Sequence, residues 1–229
     1  MIPVAVAAEI AVAAPHLCLG CLRASVRVEP PHPTLSSKLD ITGRQRVKNL
    51  PRGGPARLGP VQALRDAYRA LGKEPGRYRG AAEALLRRLV QDKGVSPVNT
   101  VVDINNLLAL ETAMAVSTFD ADAIDGPVKL RRGRAGESYQ GIGRGALNLE
   151  GLPVFADNQG PFGSPTSDSE RTRVTERTET ILMVIMAFHD CPDLPRYLEE
   201  ARSLVERYAH GEGMETTLVE GRPSVPGAG

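Results

Sequence analysis

The sequence predicts a mixed α and β fold, and three observations carry that reading. Several segments place apolar residues at helical spacing, while others are short apolar runs of strand length. Hydrophobic residues make up 41% of the 229 residues, enough to bury a core and too many for a disordered chain. No apolar run reaches the roughly 18 residues that a membrane helix needs. At about 100–200 residues per domain, the length fits one large domain or two small ones.

The chain opens on a small, apolar stretch, Met1 to Ala14. It has no basic n-region, Pro3 follows at once and Glu9 interrupts it, so it reads as a first strand, Val4 to Val12, and not as a secretory signal. A second strand should follow. Pro30, Pro31 and Pro33 then rule out a central strand and suggest an open segment. Leu50 to Pro60 reads as loop.

Three helices are predicted next. Pro60 stands at a first helical position, with Val61, Leu64, Ala67, Tyr68 and Leu71 on one face and Gly72 as the stop. Ala82, Leu85, Leu86, Leu89 and Val90 form a second stripe, ended by Gly94. The third helix should run from Asn99 or Thr100 to about Met114. The period then changes. Pro127 to Arg132, Leu152 to Ala156 and Thr180 to Phe188 read as strands, the last buried on both faces. Gly-rich turns lie at Gly141 to Gly145 and Gly160 to Pro165. A helix from Pro192 to about Ala209 closes the fold, with Gly211 as its cap. One domain over 1–219 and a disordered Gly/Pro/Ser-rich tail over 220–229 are expected.

The formal charge of +1 hides an asymmetry. From Thr42 to Lys93, thirteen bases face four acids, a net +9, which leaves −8 for the rest. Such a segment suits either a phosphate backbone or a solvated helix face. There is no Trp and only 4% aromatic residues, so any base-stacking platform would be small. Cys18 and Cys21 form a CxxC, but no second CxxC follows, and His16, His189 and Cys191 are the only candidates to complete a zinc site. Reduced, partly buried thiols in a cytoplasmic protein are expected, with no metal and no cofactor.

The middle of the chain carries the most specific signal. Pro97-Val98-Asn99-Thr100-Val101-Val102-Asp103-Ile104-Asn105-Asn106 is followed by Ser117-Thr118-Phe119-Asp120-Ala121-Asp122, then Gly136-Glu137, then Ala156-Asp157 with Gly160-Pro161. These four segments, in this order, resemble the B3/B4 domain of the β subunit of bacterial phenylalanyl-tRNA synthetase, over roughly Ala82 to Phe188. The family pattern is P-x-N-x-V-V-D-x-T-N-Y, H-A-F-D-x-D, a G-E turn and A-D-x-x-G-P. Ser164 to Arg171 looks like the stand-alone relatives of that domain. The resemblance implies an α+β, three-layer β/β/α sandwich. It also implies editing, the hydrolysis of an ester between a wrong amino acid and tRNA, with the tRNA 2′- or 3′-hydroxyl able to assist. Nothing here resembles class II synthetase motifs, so charging of tRNA is not expected.

Carried over residue by residue, the resemblance matches Asn106 to a pocket Asn of the family. Asn105 stands at a pocket Thr, Thr100 at an Arg, and Ser117 at the His of H-A-F-D. Val184 falls where the family has the Glu that reads the tyrosine hydroxyl. Thr166 to Glu170 replace a Gly-rich turn, and the family's T-[DE]-A-S segment has no counterpart. The candidate substrate-binding set is therefore Asn99, Asp103, Asn105, Asn106, Ser117, Thr166, Ser167, Asp168 and Ser169, placed between the Asn99–Asn106 helix and the Thr166–Glu170 loop. Asn99 and Asp103 read equally as helix caps, and the hydroxyl loop as turn chemistry. No His lies near those hydroxyls, so a Ser/His/Asp triad has no support. Arg77, Arg79, Arg87 and Arg88 are the candidate RNA contacts. The expected partners are tRNA or aminoacyl-tRNA, or a small amino-acid-like ligand, and no membrane. The expected activity is hydrolysis of misacylated tRNA in trans. The alternatives are a non-catalytic binding module and a hydrolase acting on a small molecule.

Overall fold

A computed structural model describes residues 1–221. In chain order the elements are β1 (Val4–Val6), α1 (Ala8–Ala13), β2 (Cys18–Ser25), α2 (Pro33–Lys48), α3 (Gly59–Ala70), α4 (Ala81–Val90), α5 (Thr100–Thr112), β3 (Ala115–Asp120), β4 (Val128–Arg132), β5 (Ser138–Gly141), β6 (Gly145–Asn148), β7 (Pro153–Asp157), β8 (Gly160–Gly163), β9 (Thr180–Ala187), α6 (Leu194–Ala209) and β10 (Glu212–Glu220).

The three-layer α+β sandwich is borne out. An outer sheet runs β1-β4-β7-β8, and a middle sheet runs β10-β2-β9-β3. Helices α2, α4, α5 and α6 cover the other face of the middle sheet. Strand β9 shows how one sequence serves two cores. Ile181, Met183, Ile185 and Ala187 pack against the helices. Leu182, Val184 and Met186 pack against the outer sheet. Successive side chains point to opposite faces, so an unbroken apolar run is what a doubly covered strand requires.

Four early expectations are corrected. The Val4 to Val12 run is a three-residue strand followed by a short helix, because Ile10 and Ala11 turn inward at helical spacing. The open segment after Pro31 holds the 16-residue helix α2, with Pro33 in the first turn, where no N–H is needed, and His32 as N-cap. Gly160 to Gly163 is an edge strand, where Pro161 is tolerated. Glu220 closes β10, and the Gly221 N–H bonds to the Leu17 carbonyl at 2.8 Å. The rest of the expected tail, 222–229, lies outside the described residues.

Gly133 permits a tight crossing between β4 and the turn before β7. A Cβ there would lie 2.0 Å from the Leu149 carbonyl oxygen. The Gly133 N–H also bonds to the Leu152 carbonyl at 2.7 Å. Gly133→Ala is expected to destabilise the fold by about 2–3 kcal/mol, because the backbone has to move. Urea denaturation measures this.

The three thiols are free. Cys18 packs on the helix side of β2, and Cys21 is sealed between the sheets. Residues three apart on a strand point to opposite faces, so this CxxC cannot chelate. Burial pushes the Cys21 thiol up to about 12 and raises Cys18 and Cys191 as well. Among the described residues no helix is long and apolar enough to cross a membrane, and no three His, Cys, Asp or Glu side chains cluster for a metal.

Candidate functional site

Strand β3 is the edge of the middle sheet, and its alternation sorts the candidate residues. Ala115 and Phe119 face the outer sheet, so Ser117 does too. Val116 faces the helices, and so does Thr118. The Ser117 Oγ donates to Asp168 Oδ1 at 3.1 Å, across 51 residues of chain. The Ser164 N–H donates to the same oxygen at 3.3 Å. Behind this contact stand three rings. Phe119 meets Phe162 edge-on at 4.9 Å and Phe155 at 5.7 Å. Gly163 fits against them only because it has no Cβ: one there would lie 2.4 Å from Phe119 and 3.0 Å from Asp168 Oδ1.

The loop from Ser164 to Ser169 is rich in hydroxyls, and two tyrosines reach it. Ser164 Oγ donates to the Ser167 carbonyl at 2.8 Å. The Tyr139 hydroxyl lies 3.2 Å from Ser164 Oγ and 2.5 Å from that carbonyl. Tyr68 OH and Thr166 Oγ1 are 2.7 Å apart. Burial raises both phenols above their ordinary range, so they stay neutral. Asp168 is crowded by protein yet not sealed from solvent. Burial pushes its carboxyl up to about 7, against the downward pull of the Ser117 and Ser164 hydrogen bonds.

The structure does not bring all nine candidates into one pocket. Asn99 is the N-cap of α5, and its side chain accepts the Val102 N–H at 2.9 Å. Asp103 is fully buried and accepts the Val98 N–H at 2.9 Å. Thr100 Oγ1 accepts the Glu29 N–H. These three groups tie the helix start to its flanking segments. Asn105 bonds Thr118 at 3.0 Å on the helix side of β3, the opposite face from Ser117. Asn106 is half-buried, and its side chain makes no hydrogen bond among the described residues. Ser169 caps a short turn through the Arg171 N–H. Ser117, Asp168, Thr166 and Ser167 remain together. Ser164, Tyr68 and Tyr139 join them without having been candidates. Ser164 lies in the same polar run, Tyr68 was absorbed into a helix stripe, and no local signal marks Tyr139.

Val184 pairs with Ser117 across β3 and β9 and is fully buried between the sheets. It offers the site no polar group. Asp157 has a structural partner, with Arg171 bridging it through two bonds of 3.0 Å. Burial alone would raise the Asp157 carboxyl, but Arg171 and the Asp125 and Gln159 N–H groups hold it below its ordinary value.

The basic loop between α3 and α4 lies beside the hydroxyl loop. The Ala81 N–H donates to the Pro165 carbonyl at 2.7 Å. Arg77, Arg79 and Arg88 are exposed and form no ion pair among the described residues. Arg87 is committed. With Arg65 it neutralises Glu83, a carboxylate only 1% exposed, at 2.9 and 3.0 Å. Arg57, Arg65 and Arg69 line a cavity of about 500 Å³ beside α3.

The model of the B3/4 domain matches residues 63–210, from α3 to the end of α6. The chain belongs to the B3/4 domain family. The match starts and ends beyond the four motifs and includes every residue of the Ser117–Asp168 cluster. This B3/4 domain is 27% identical over 213 residues to the phenylalanine–tRNA ligase beta subunit of Bartonella quintana, covering 77% of the chain and 26% of that protein. It is 32% identical over 107 residues to the beta subunit of Symbiobacterium thermophilum, covering 45% of the chain and 12% of that protein. The chain thus spans about a quarter or less of the length of these relatives. A solved N-terminal fragment of the beta subunit from Pyrococcus horikoshii aligns with 95% of the chain and 50% of its own, with a TM-score of 0.45 and 13% identity.

Proposed function

We propose that this B3/4 domain binds aminoacylated tRNA through its basic α3–α4 side and hydrolyses the aminoacyl ester in trans at the Ser117–Asp168 cluster. The supporting observation is the hydrogen bond from Ala81 to Pro165, which ties the end of the segment that carries Arg77 and Arg79 to the hydroxyl loop. An RNA backbone held by the arginines then has its 3′ end close to Asp168. Ester hydrolysis needs a positioned water and donors for the developing oxyanion. The Ser167 hydroxyl donates to no protein group among the described residues, while Ser117, Ser164 and Tyr139 donate to Asp168 and the Ser167 carbonyl and have to turn from them to serve the ester. The vicinal ribose hydroxyl supplies a route for the proton. Asn106 is the α5 candidate that matches the family's pocket Asn and has an uncommitted side chain, and Asn106→Ala is expected to weaken the reaction. The absence of a polar group at Val184 favours a small or apolar amino acid over tyrosine.

The purified chain is expected to release amino acid from at least one member of a panel of mischarged tRNAs. No release from any member rejects the hydrolytic reading. Retained tRNA binding without release would leave the non-catalytic binding module, which the apolar Val184 position favours. Affinity for tRNA should fall steeply with salt, by orders of magnitude between 50 and 200 mM for several phosphate contacts, roughly as counterion release requires. Arg77→Glu with Arg79→Glu should flatten that slope. A filter-binding salt titration reads both results, and salt-independent binding removes RNA from the account.

A further inference from the structure

We propose that Asp168 binds a primary ammonium group, so that the ligand of this site carries a free amine: in the reading above, on which this inference rests, the α-amino group of the aminoacyl ester. Three other carboxylates with shielded side chains come with an arginine, while Asp103, sealed at the start of α5 where no ligand reaches it, has none among the described residues. Glu83 has Arg65 and Arg87, Asp157 has Arg171, and Glu137 has Arg131 through two bonds of 2.7 Å. Asp168 has none among the described residues. Its Oδ1 is fully occupied by Ser117 and Ser164, while its Oδ2 accepts no hydrogen bond from them.

The groups around it are neutral hydroxyls: Ser117, Ser164, Ser167 and the two phenols. The wall behind it is aromatic. A carboxylate drawn this far out of water is costly unless a cation meets it. That the free carboxyl sits near 7 fits the missing counter-charge. A ligand ammonium supplies both the charge and the donors, in surroundings that strengthen the pair. A divalent cation fits less well, since no group of three acidic, His or Cys side chains forms among the described residues to hold it.

The test uses amino-acid amides, which carry the amine but no hydrolysable ester. The intact chain is titrated with the amides of L-alanine, L-valine and L-phenylalanine and with their N-acetylated forms, followed by amide ¹H–¹⁵N spectra. The amine-bearing compounds are expected to shift Ser117, Ser164 and Asp168 resonances and to bind about tenfold or more tighter than the acetylated ones, the scale of one charged hydrogen bond. Asp168→Asn keeps an acceptor for Ser117 and Ser164 and should abolish that difference while leaving the rest of the spectrum in place. Equal binding of both forms, a difference that survives in Asp168→Asn, or no shift at these residues each overturns the proposal. Deacylation of mischarged tRNA is read separately. Amine binding without turnover would sink the hydrolytic function and keep this inference. Turnover that treats N-acetylated aminoacyl-tRNA equally would do the reverse.

Discussion

Glu83→Ala is expected to lower the unfolding free energy by about 3 kcal/mol, the usual cost of breaking a buried ion pair from one side. Glu83 lies in the first turn of α4 and is 1% exposed. It is the common acceptor for Arg65 on α3 and Arg87 one turn along α4. Removing it leaves the Arg65 guanidinium, with a side chain only 18% exposed, without a counter-charge. Arg87, at 40%, turns to water and loses little. For a chain of this size the loss corresponds to a Tm lower by about 6–12 °C. Replacing Glu83 and Arg65 together with apolar residues should cost far less, since no charge is then stranded. Calorimetry on the single and double variants separates the two outcomes. If Glu83→Ala melts with the wild type, the α3–α4 side is not held as described, and the placement of Arg77 and Arg79 falls with it.

Asp168→Asn is expected to do the opposite for stability while slowing the reaction. The folded carboxyl is raised to about 7 from an ordinary 3.8. The folded state therefore holds a proton that the unfolded chain has released, and stability falls as pH rises between about 4 and 7. Above 7 the charged form is carried at a cost of about 1–2 kcal/mol, taken below the full linkage value because the group keeps some solvent contact. Asn carries no charge and accepts the same two hydrogen bonds. The variant should be the more stable protein at pH 8, and the gap should be well under half as large at pH 5. Urea midpoints at the two pH values measure it. Stability lost at pH 8 would mean that Asp168 already has a counter-charge in the native state.

Much of the fold was legible because burial leaves a period in the sequence. Helices α3, α4, α5 and α6 and strands β4, β7 and β9 appear within a few residues of their expected bounds. The failures share a cause. Pro33 suggests an open segment and Gly160 to Pro165 a Gly-rich turn, but Pro33 sits in a first helical turn and Pro161 on a sheet edge, where no N–H is required. Strand β10 was missed because its residues are largely exposed and mix Glu, Thr and Val with no apolar run.

The site was only half legible for a different reason. Asp168 and Ser167 stand out in a polar loop, and the family resemblance points to Ser117. That Ser117 and Asp168 meet, and that Asn105 turns to the other face of β3, depends on strand alternation and pairing, which a spacing of 51 residues does not reveal. Asn99 and Asp103 look like pocket residues in a motif. In the folded chain their hydrogen bonds are spent on the start of α5.

The most direct test is single-turnover deacylation of a tRNA that the wild-type chain discharges, repeated with Asp168→Asn. The account predicts that the variant, folded and at least as stable at pH 8, releases amino acid about tenfold or more slowly, as expected from the loss of one charged contact. An unchanged rate in a folded Asp168→Asn variant would contradict it and move the chemistry away from the Ser117–Asp168 cluster.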